Sequence, residues 1–187
     1  RPGFRMACQL AANYDWDIVH MDLKTVFLQG ERYDEKRNII CALPKEAGHP
    51  PHMAARMKKP AYGLNDALRR WFNVVDQSLR SYGCKPTRGD RCTYVLYSKH
   101  HQVQGRLREP VKQSDNQFSS IDNALLQKLL DPFNGNNSGG YYPCGVICLH
   151  VDDLFMFGDL DFGERVLAKL RKDYAIASED KNDFTLV

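Results

Sequence analysis

The segment between residues 145 and 158, GVICLHVDDLFMFG, constrains the fold of this chain more than any other. Two short apolar runs, residues 145–150 and 154–158, lie on either side of two adjacent carboxylates, Asp152 and Asp153. Apolar runs of this length around a turn are typical of buried strands. The pattern predicts a β-hairpin with both aspartates at its tip, where two like charges repel each other unless a cation neutralises them.

Carboxylate oxygens are the ligands that hard divalent cations such as Mg²⁺ prefer. The alternative is a polar turn with two solvated aspartates, and the dipeptide alone favours it because Asp is a common turn residue. A third carboxylate, Asp22, makes the metal site more plausible than the solvated turn. Residues 16–23, WDIVHMDL, alternate as a strand, with Ile18, His20 and Asp22 on one side. If this strand pairs with the hairpin, three carboxylates share one site and could hold two metal ions.

The remaining pattern predicts an α+β fold. Apolar periodicity indicates helices over residues 4–13, 64–82 and 159–174; the second ends at Gly83, and Asp161 and Glu164 have capping-box spacing in the third. Further strands are predicted over residues 91–98 and from 183 onward. The order of strand, helix, hairpin, helix and strand is that of a ferredoxin-like domain. Residues 101–143 are polar and predict a surface insertion or partly disordered segment.

Composition narrows the class of protein. With 187 residues, 43% of them hydrophobic, the chain can form one core and one appended lobe. It has no run of 18 apolar residues that could span a membrane, and no initiator Met or apolar signal segment, so we expect a fragment of a longer polypeptide. The six cysteines form no CxxC pair, which favours free thiols in a reducing compartment.

The net charge of +3 is distributed unevenly. Residues 54–112 hold 13 Lys and Arg against 4 Asp and Glu, whereas residues 113–187 hold 6 against 12. A basic block of this kind is a candidate surface for a polyanion. The alternative is that the basic block is an ordinary solvated face, and charge alone slightly favours this alternative.

Three blocks carry a family resemblance: MDLKTVFLQGE (21–31), KKPAYGLNDALRRW (58–71) and HVDDLF (150–155). In this order they resemble the reverse transcriptase of copia-type retrotransposons, whose patterns are roughly D-V-K-T-A-F-L-x-G-E, K-x-L-Y-G-L-K-Q-A-P-R-x-W and Y-V-D-D-L. The resemblance covers nearly the whole chain except residues 101–143. A lone pair of aspartates is a weak signal, but three ordered blocks are specific.

The resemblance implies an RNA-directed DNA polymerase. The whole chain, 1–187, would be a ferredoxin-like polymerase palm with partial fingers, truncated at both ends. Asp22 and Asp152 would bind two Mg²⁺ ions, or Mn²⁺ in their place, and the backbone carbonyl of Leu23 would contact one of them. Asp153 would complete the carboxylate cluster as the less essential ligand.

The same resemblance implies residues that contact the substrates. Phe27 would pack beneath the incoming sugar and exclude a 2′-hydroxyl, Tyr62 and Gly63 would border the nucleotide, and Arg69 and Arg70 would contact template phosphates. Each has a purely structural alternative. Phe27 would be a core residue, Tyr62 and Gly63 a turn before a helix, and the two arginines a solvated helix face.

The implied partners are an RNA or DNA template-primer, deoxynucleoside triphosphates and the rest of a Pol polyprotein, namely its thumb, ribonuclease H and integrase, with no membrane partner. The implied location is intracellular, either cytoplasmic in particles or nuclear. A template-primer partner is consistent with the basic block.

The chain departs from the family pattern where Asn65, Asp66 and Leu68 replace Lys, Gln and Pro. Losing a cation and gaining an acid near a triphosphate would weaken anion binding. A second hypothesis is therefore a decayed or repurposed copy that binds nucleic acid, or only folds, without catalysis. A third is a metal-dependent nuclease or phosphatase. It lacks an obvious general base, because His20 and His150 are interpreted as strand residues.

Overall fold

The computed structural model describes residues 2–98 and 142–182. They form two compact units, one of residues 2–24, 79–98 and 142–182 and the other of residues 25–78. In chain order the elements are α1 (Pro2–Tyr14), β1 (Asp17–Leu23), α2 (Val26–Gln29), β2 (Ile40–Ala42), a 3₁₀ turn (Lys45–Ala47), β3 (Ala54–Arg56), α3 (Ala67–Ser81), β4 (Lys85–Pro86), β5 (Thr93–Ser98), β6 (Tyr142–His150), β7 (Asp153–Gly158), α4 (Leu160–Phe162), a π-helical stretch (Gly163–Leu167), α5 (Ala168–Asp173) and β8 (Ile176–Lys181). Most of the predicted insertion and the predicted strand from residue 183 lie outside the described residues.

The first unit contains a six-stranded antiparallel sheet in the order β4-β5-β6-β7-β1-β8. Strands β6 and β7 form the predicted hairpin, and β1 lies between β7 and β8. The α+β class is confirmed. The hairpin is nearly continuous because β7 begins at Asp153, so only Val151 and Asp152 form its turn.

Helices cover both faces of this sheet. The buried face of α1, which includes Ala7, Leu10 and Ala11, packs against Val146 and Phe157 on one face. On the other face, the ring of Phe162 in α4 lies over a cross-strand pair of glycines, Gly145 and Gly158. A methyl group added there would come within 2.1 and 2.4 Å of ring atoms. Glycine is therefore required on β6 and β7 by the close approach of this ring.

The second unit contains the β2–β3 hairpin, α2 and most of α3. The predicted helix over 64–82 is present but begins later, at Ala67, because residues 61–64 form a turn in which the Leu64 amide donates to the Ala61 carbonyl. The predicted apolar face is buried at Trp71 and Val75, whereas Leu68 in the first turn is 51% exposed.

The end of α3 belongs to the first unit and follows the sequence prediction. Gly83 has a φ of +96°, and its amide donates to the Arg80 carbonyl while the Cys84 amide donates to the Leu79 carbonyl. This pair of hydrogen bonds is the Schellman motif, which needs a left-handed residue that glycine supplies without strain.

Two local predictions at the C-terminal side differ from the structure. The helix that follows the hairpin is capped by Asp159, whose side chain accepts from the Phe162 amide, and not by the predicted pair of Asp161 and Glu164. Asp161 instead pairs with Arg165 one turn later. Strand β8 was not predicted, because apart from Ile176 its residues are exposed.

All six cysteines are free thiols, as predicted. Burial raises the pKa of the Cys84 and Cys144 thiols to about 12, so these two are inert neutral residues of the core. Over residues 2–98 and 142–182, none of the helices has the length and apolar character needed to cross a membrane.

Candidate functional site

The strand β1 brings Asp22 to the tip of the β6–β7 hairpin. Asp22 lies directly opposite Asp153 in the antiparallel β1–β7 pair, and the Leu23 amide donates to the Asp152 carbonyl over 3.0 Å. Directly opposed residues of an antiparallel pair project from the same face with Cβ atoms about 4.5–5.5 Å apart. The predicted pairing of strand and hairpin is therefore present, and it places carboxylates from residues 131 positions apart side by side.

The backbone at this end of the sheet is irregular on both sides of Asp22. The hairpin turn holds Val151 at a φ of +58°, where two-residue turns of this kind normally have glycine. The pairing of β1 with β8 shifts register between Asp22 and Leu23. A left-handed β-branched residue costs about 1–3 kcal/mol, and such residues and β-bulges are concentrated next to active sites.

His20 lies on the same face as the carboxylates. Its Nε2 is 2.8 Å from Oδ1 of Asp153, and its ring stacks on Phe155 with centroids 4.6 Å apart and an angle of 18°. Oδ2 of Asp180, which is opposite His20 on β8, is 3.9 Å from Nδ1. The histidine therefore lies between carboxylates of two neighbouring strands.

The pKa of Asp22 is raised above its ordinary value. Partial burial is the main cause, the negative charges of Asp152 and Asp153 add to it, and His20 acts in the opposite direction. Within the described part of the chain, no hydrogen bond or ion pair is made by the side chains of Asp22 and Asp152. Three carboxylates thus lie near one another, and among the described residues His20 is their one polar partner.

This donor set has the chemistry that a hard divalent cation requires, because all three groups are carboxylates and two of them lack a partner within the described residues. Their side chains do not form a finished coordination sphere. Over residues 2–98 and 142–182, no group of three or more His, Cys, Asp or Glu side chains is arranged to hold a metal ion. Ion binding here requires the carboxylates to turn towards one another.

Asp22→Asn should stabilise the metal-free chain at neutral pH. Because the folded-state pKa of Asp22 is raised, the penalty for its charge is absent below about pH 4 and grows as pH rises through the folded pKa. Removing the charge should therefore raise the free energy of unfolding at pH 7 by about 0.5–2 kcal/mol, the range typical of a single stabilising substitution. Urea unfolding at pH 7 and pH 4 measures this, and we expect the difference to shrink at pH 4.

Asp17→Asn, at the other end of the same strand, is the matched control with the opposite sign. Hydrogen bonds from Lys181 and Asn182, at 2.8 Å each, lower the pKa of Asp17, so its charge stabilises the fold above about pH 4. Asp17→Asn should destabilise by about 0–1 kcal/mol, because the pair is solvent-exposed. If Asp22→Asn destabilised the chain at pH 7, this would contradict the claim that the charge of Asp22 is not neutralised in the carboxylate cluster.

In the second unit, Phe27 is buried and packs edge-to-face on Tyr62, with ring centroids 4.5 Å apart. Tyr62 itself is 62% exposed. Gly63 has a φ of +91°, with open space where a Cβ would be, so its conformation and not its packing requires glycine. The structure brings Phe27, Tyr62 and Gly63 together, with Phe27 buried and Gly63 in a left-handed turn.

Arg70 is held within the second unit. Its Nε donates to Asp66 over 2.9 Å, Arg37 pairs with the same carboxylate at 3.0 Å, and the Tyr33 hydroxyl donates to it at 3.1 Å. Partial burial alone would raise the pKa of Asp66, but the hydrogen bonds from Arg70 and Tyr33 and the charge of Arg37 outweigh it and lower that pKa. The negative charge of Asp66 is thus matched locally. Exposed Arg69 is the more accessible of the two arginines.

Two features of these sites were missed by the sequence analysis although signals existed. The alternation of β1 already placed His20 beside Asp22, but its contact with Asp153 depends on the strand register. The spacing of Asp66 and Arg70 is the i,i+4 spacing of a helical ion pair, which would have indicated that Arg70 has an intramolecular partner.

No protein family model and no solved structure matches the chain. The chain is 33% identical over 94 residues to the "Retrovirus-related Pol polyprotein from transposon TNT 1-94" of Nicotiana tabacum. The match covers 49% of this chain and only 7% of that polyprotein. The chain therefore spans a small fraction of the length of that polyprotein. What it establishes is that this chain is related to a retrotransposon Pol polyprotein.

Proposed function

We propose that this chain is the palm, with partial fingers, of a copia-type reverse transcriptase, an RNA-directed DNA polymerase. One observation carries the proposal: the register that sets Asp22 opposite Asp153, with Asp152 in the adjoining turn. The relation to a Pol polyprotein supports it, because such polyproteins contain enzymes. The antiparallel sheet with helices on both faces is compatible with a ferredoxin-like palm, which is part of the same proposal.

In this proposal Asp22, Asp152 and Asp153 hold two Mg²⁺ ions, or Mn²⁺ in their place, and the Leu23 carbonyl is a further ligand. Ions bound there would stabilise the charge on the attacking and leaving oxygens of phosphoryl transfer. The carboxylates contribute by holding a high negative charge at a strained turn, where it has few protein partners. The attacking group would be a primer 3′-hydroxyl, the target the α-phosphate of a deoxynucleotide, and pyrophosphate the leaving group.

The second unit would handle the substrates. Phe27 and Tyr62 would form the surface against which the nucleotide sugar packs, and the left-handed turn at Gly63 would set the position of Tyr62. Arg69 would contact template phosphates, and Arg70 would position the segment that carries Tyr33 and Arg37 through their shared partner Asp66. The template-primer, the nucleotides and the rest of the Pol polyprotein are the proposed intracellular partners.

Primer extension on an RNA template tests the proposal. The assay would compare the chain as it stands with the chain joined to the fingers and thumb segments of a copia-type polymerase, with deoxynucleotides and Mg²⁺. Extension by the joined chain supports a polymerase. Template binding without extension favours a domain that binds nucleic acid without catalysis, and cleavage of the strand instead of extension favours a nuclease.

Phe27→Ala should reduce discrimination against ribonucleotides, because a smaller side chain leaves room for a 2′-hydroxyl. We expect the ratio of deoxynucleotide to ribonucleotide incorporation to fall about 10–200-fold, the range for filling or emptying a small part of an apolar pocket. The ratio is measured on one sample, so any loss of folded protein cancels. Phe27→Tyr, which keeps the ring, is the control. An unchanged ratio in Phe27→Ala would leave Phe27 as a core residue only.

A further inference from the structure

His20 has a neighbour on each of three sides, and one of these neighbours is Asp153. The register sets His20 opposite Phe155, and the two rings stack almost in parallel at 4.6 Å. From that position Nε2 reaches diagonally to the neighbouring pair and lies 2.8 Å from Oδ1 of Asp153. Asp180 is opposite on the other side, with its Oδ2 3.9 Å from Nδ1. Stacking thus fixes the plane of the imidazole, and the hydrogen bond fixes the carboxylate.

The burial of the pair makes this contact more than an exposed surface ion pair. The side chain of His20 is 21% exposed and that of Asp153 is 33% exposed. An ionised carboxylate only accepts hydrogen bonds, so Nε2 is the donor of this contact. Hydrogen bonds to charged groups contribute more than neutral ones, and the ring stacked behind the donor limits its motion.

We infer that His20 is a positioning residue for Asp153, and that it commits one oxygen of this carboxylate so that the other is presented to a divalent cation shared with Asp22 and Asp152. The inference rests on the proposed two-ion site, which it deepens. Ligating carboxylates are themselves hydrogen-bonded in metal sites, and removing such a partner typically costs about 10–100-fold in metal affinity. His20 acts through Asp153 and is not itself a ligand.

The test is Mn²⁺ binding by this chain, measured from the loss of the free-ion signal in electron paramagnetic resonance. His20→Gln and His20→Met form a matched pair, because the two side chains have nearly the same length and only Gln keeps an N–H donor. We expect His20→Met to bind Mn²⁺ about 10-fold or more weakly than wild type, and His20→Gln to recover to within about 3-fold of wild type. His20→Phe, which keeps the stacked ring without the donor, should behave like His20→Met.

A purely structural role for the ring predicts the reverse order, with His20→Phe close to wild type and both other variants impaired. That order, or equal or tighter binding in His20→Met and His20→Phe, would overturn the inference. In an Asp153→Ala background residue 153 has no acceptor, so the donor should no longer matter, and His20→Gln and His20→Met should agree within about 2-fold if the effect passes through Asp153. This comparison uses only His20→Gln and His20→Met, so it remains decisive if His20→Phe does not fold. Absence of Mn²⁺ binding by the wild-type chain would instead overturn the two-ion proposal, and the inference with it.

Discussion

Asp152→Asn should abolish primer extension by a polymerase that contains this chain, with a loss on the order of 10³-fold or more. The substitution keeps the shape of the side chain and removes one negative charge from the turn that faces Asp22. Removing a single group that stabilises developing charge in a transition state lowers kcat about 10²–10³-fold. Removing a carboxylate that also binds the ions should reduce the rate at least as much. The measurement is single-nucleotide primer extension with Mg²⁺ and deoxynucleotides.

Asp161→Asn is the matched control for this loss. Asp161 lies in α4, on the opposite side of the sheet from the carboxylate cluster, and it pairs with Arg165 in a partly exposed ion pair. Its replacement removes the same charge from the same unit, and extension should stay within about 2-fold of wild type because exposed pairs contribute little. Equal losses in both variants would show that total charge, and not the position of Asp152, is what matters.

Phe162→Ala should produce the largest loss of stability, about 3–5 kcal/mol. The ring of Phe162 is 2% exposed and lies on Gly145 and Gly158, which have no side chains that could fill the space it leaves. The two glycines belong to the hairpin whose turn carries Asp152, so the ring also supports the candidate site from the opposite face. Urea unfolding of the wild type and the variant measures the loss.

A size-swap cycle separates packing at this contact from general damage. In the wild-type background Gly145→Ala should cost about 1–3 kcal/mol, because its methyl group meets the ring at 2.1 Å. In the Phe162→Ala background the same methyl group enters the cavity, and Gly145→Ala should cost less or restore stability. Additive losses in the double variant would contradict direct packing of the ring on this glycine pair.

Much of the framework followed from patterns that span a few residues. Three patterns of apolar residues indicate directly which side chains are buried: the alternation of residues 16–23, the two apolar runs of the hairpin, and the stripe through Trp71 and Val75. Because burial determines where these elements form, the patterns predict them. Strand β8 could not be found this way. It is an edge strand with charged exposed residues, a composition that protects a sheet edge but resembles a loop in sequence.

The candidate site was predictable only in part, because it depends on register. The sequence supplied Asp22 and the hairpin aspartates as separate features, and pairing of β1 with β7 was needed to make them neighbours. The contact of His20 with Asp153 is diagonal across that pairing and has no local signature. The strained Val151 was also hidden, since the sequence gives no reason to place a β-branched residue at a left-handed turn position.

The account depends most on the claim that Asp22, Asp152 and Asp153 together attract divalent ions. The most direct measurement is Mn²⁺ titration of this chain by electron paramagnetic resonance, compared with Asp22→Asn, Asp152→Asn and the control Asp17→Asn. We predict binding by the wild type and by Asp17→Asn, and binding at least about 10-fold weaker in each of the other two variants, because losing even a hydrogen-bond partner of a ligand typically costs about 10–100-fold. Equal Mn²⁺ binding in all four proteins, or none in the wild type, would contradict the account.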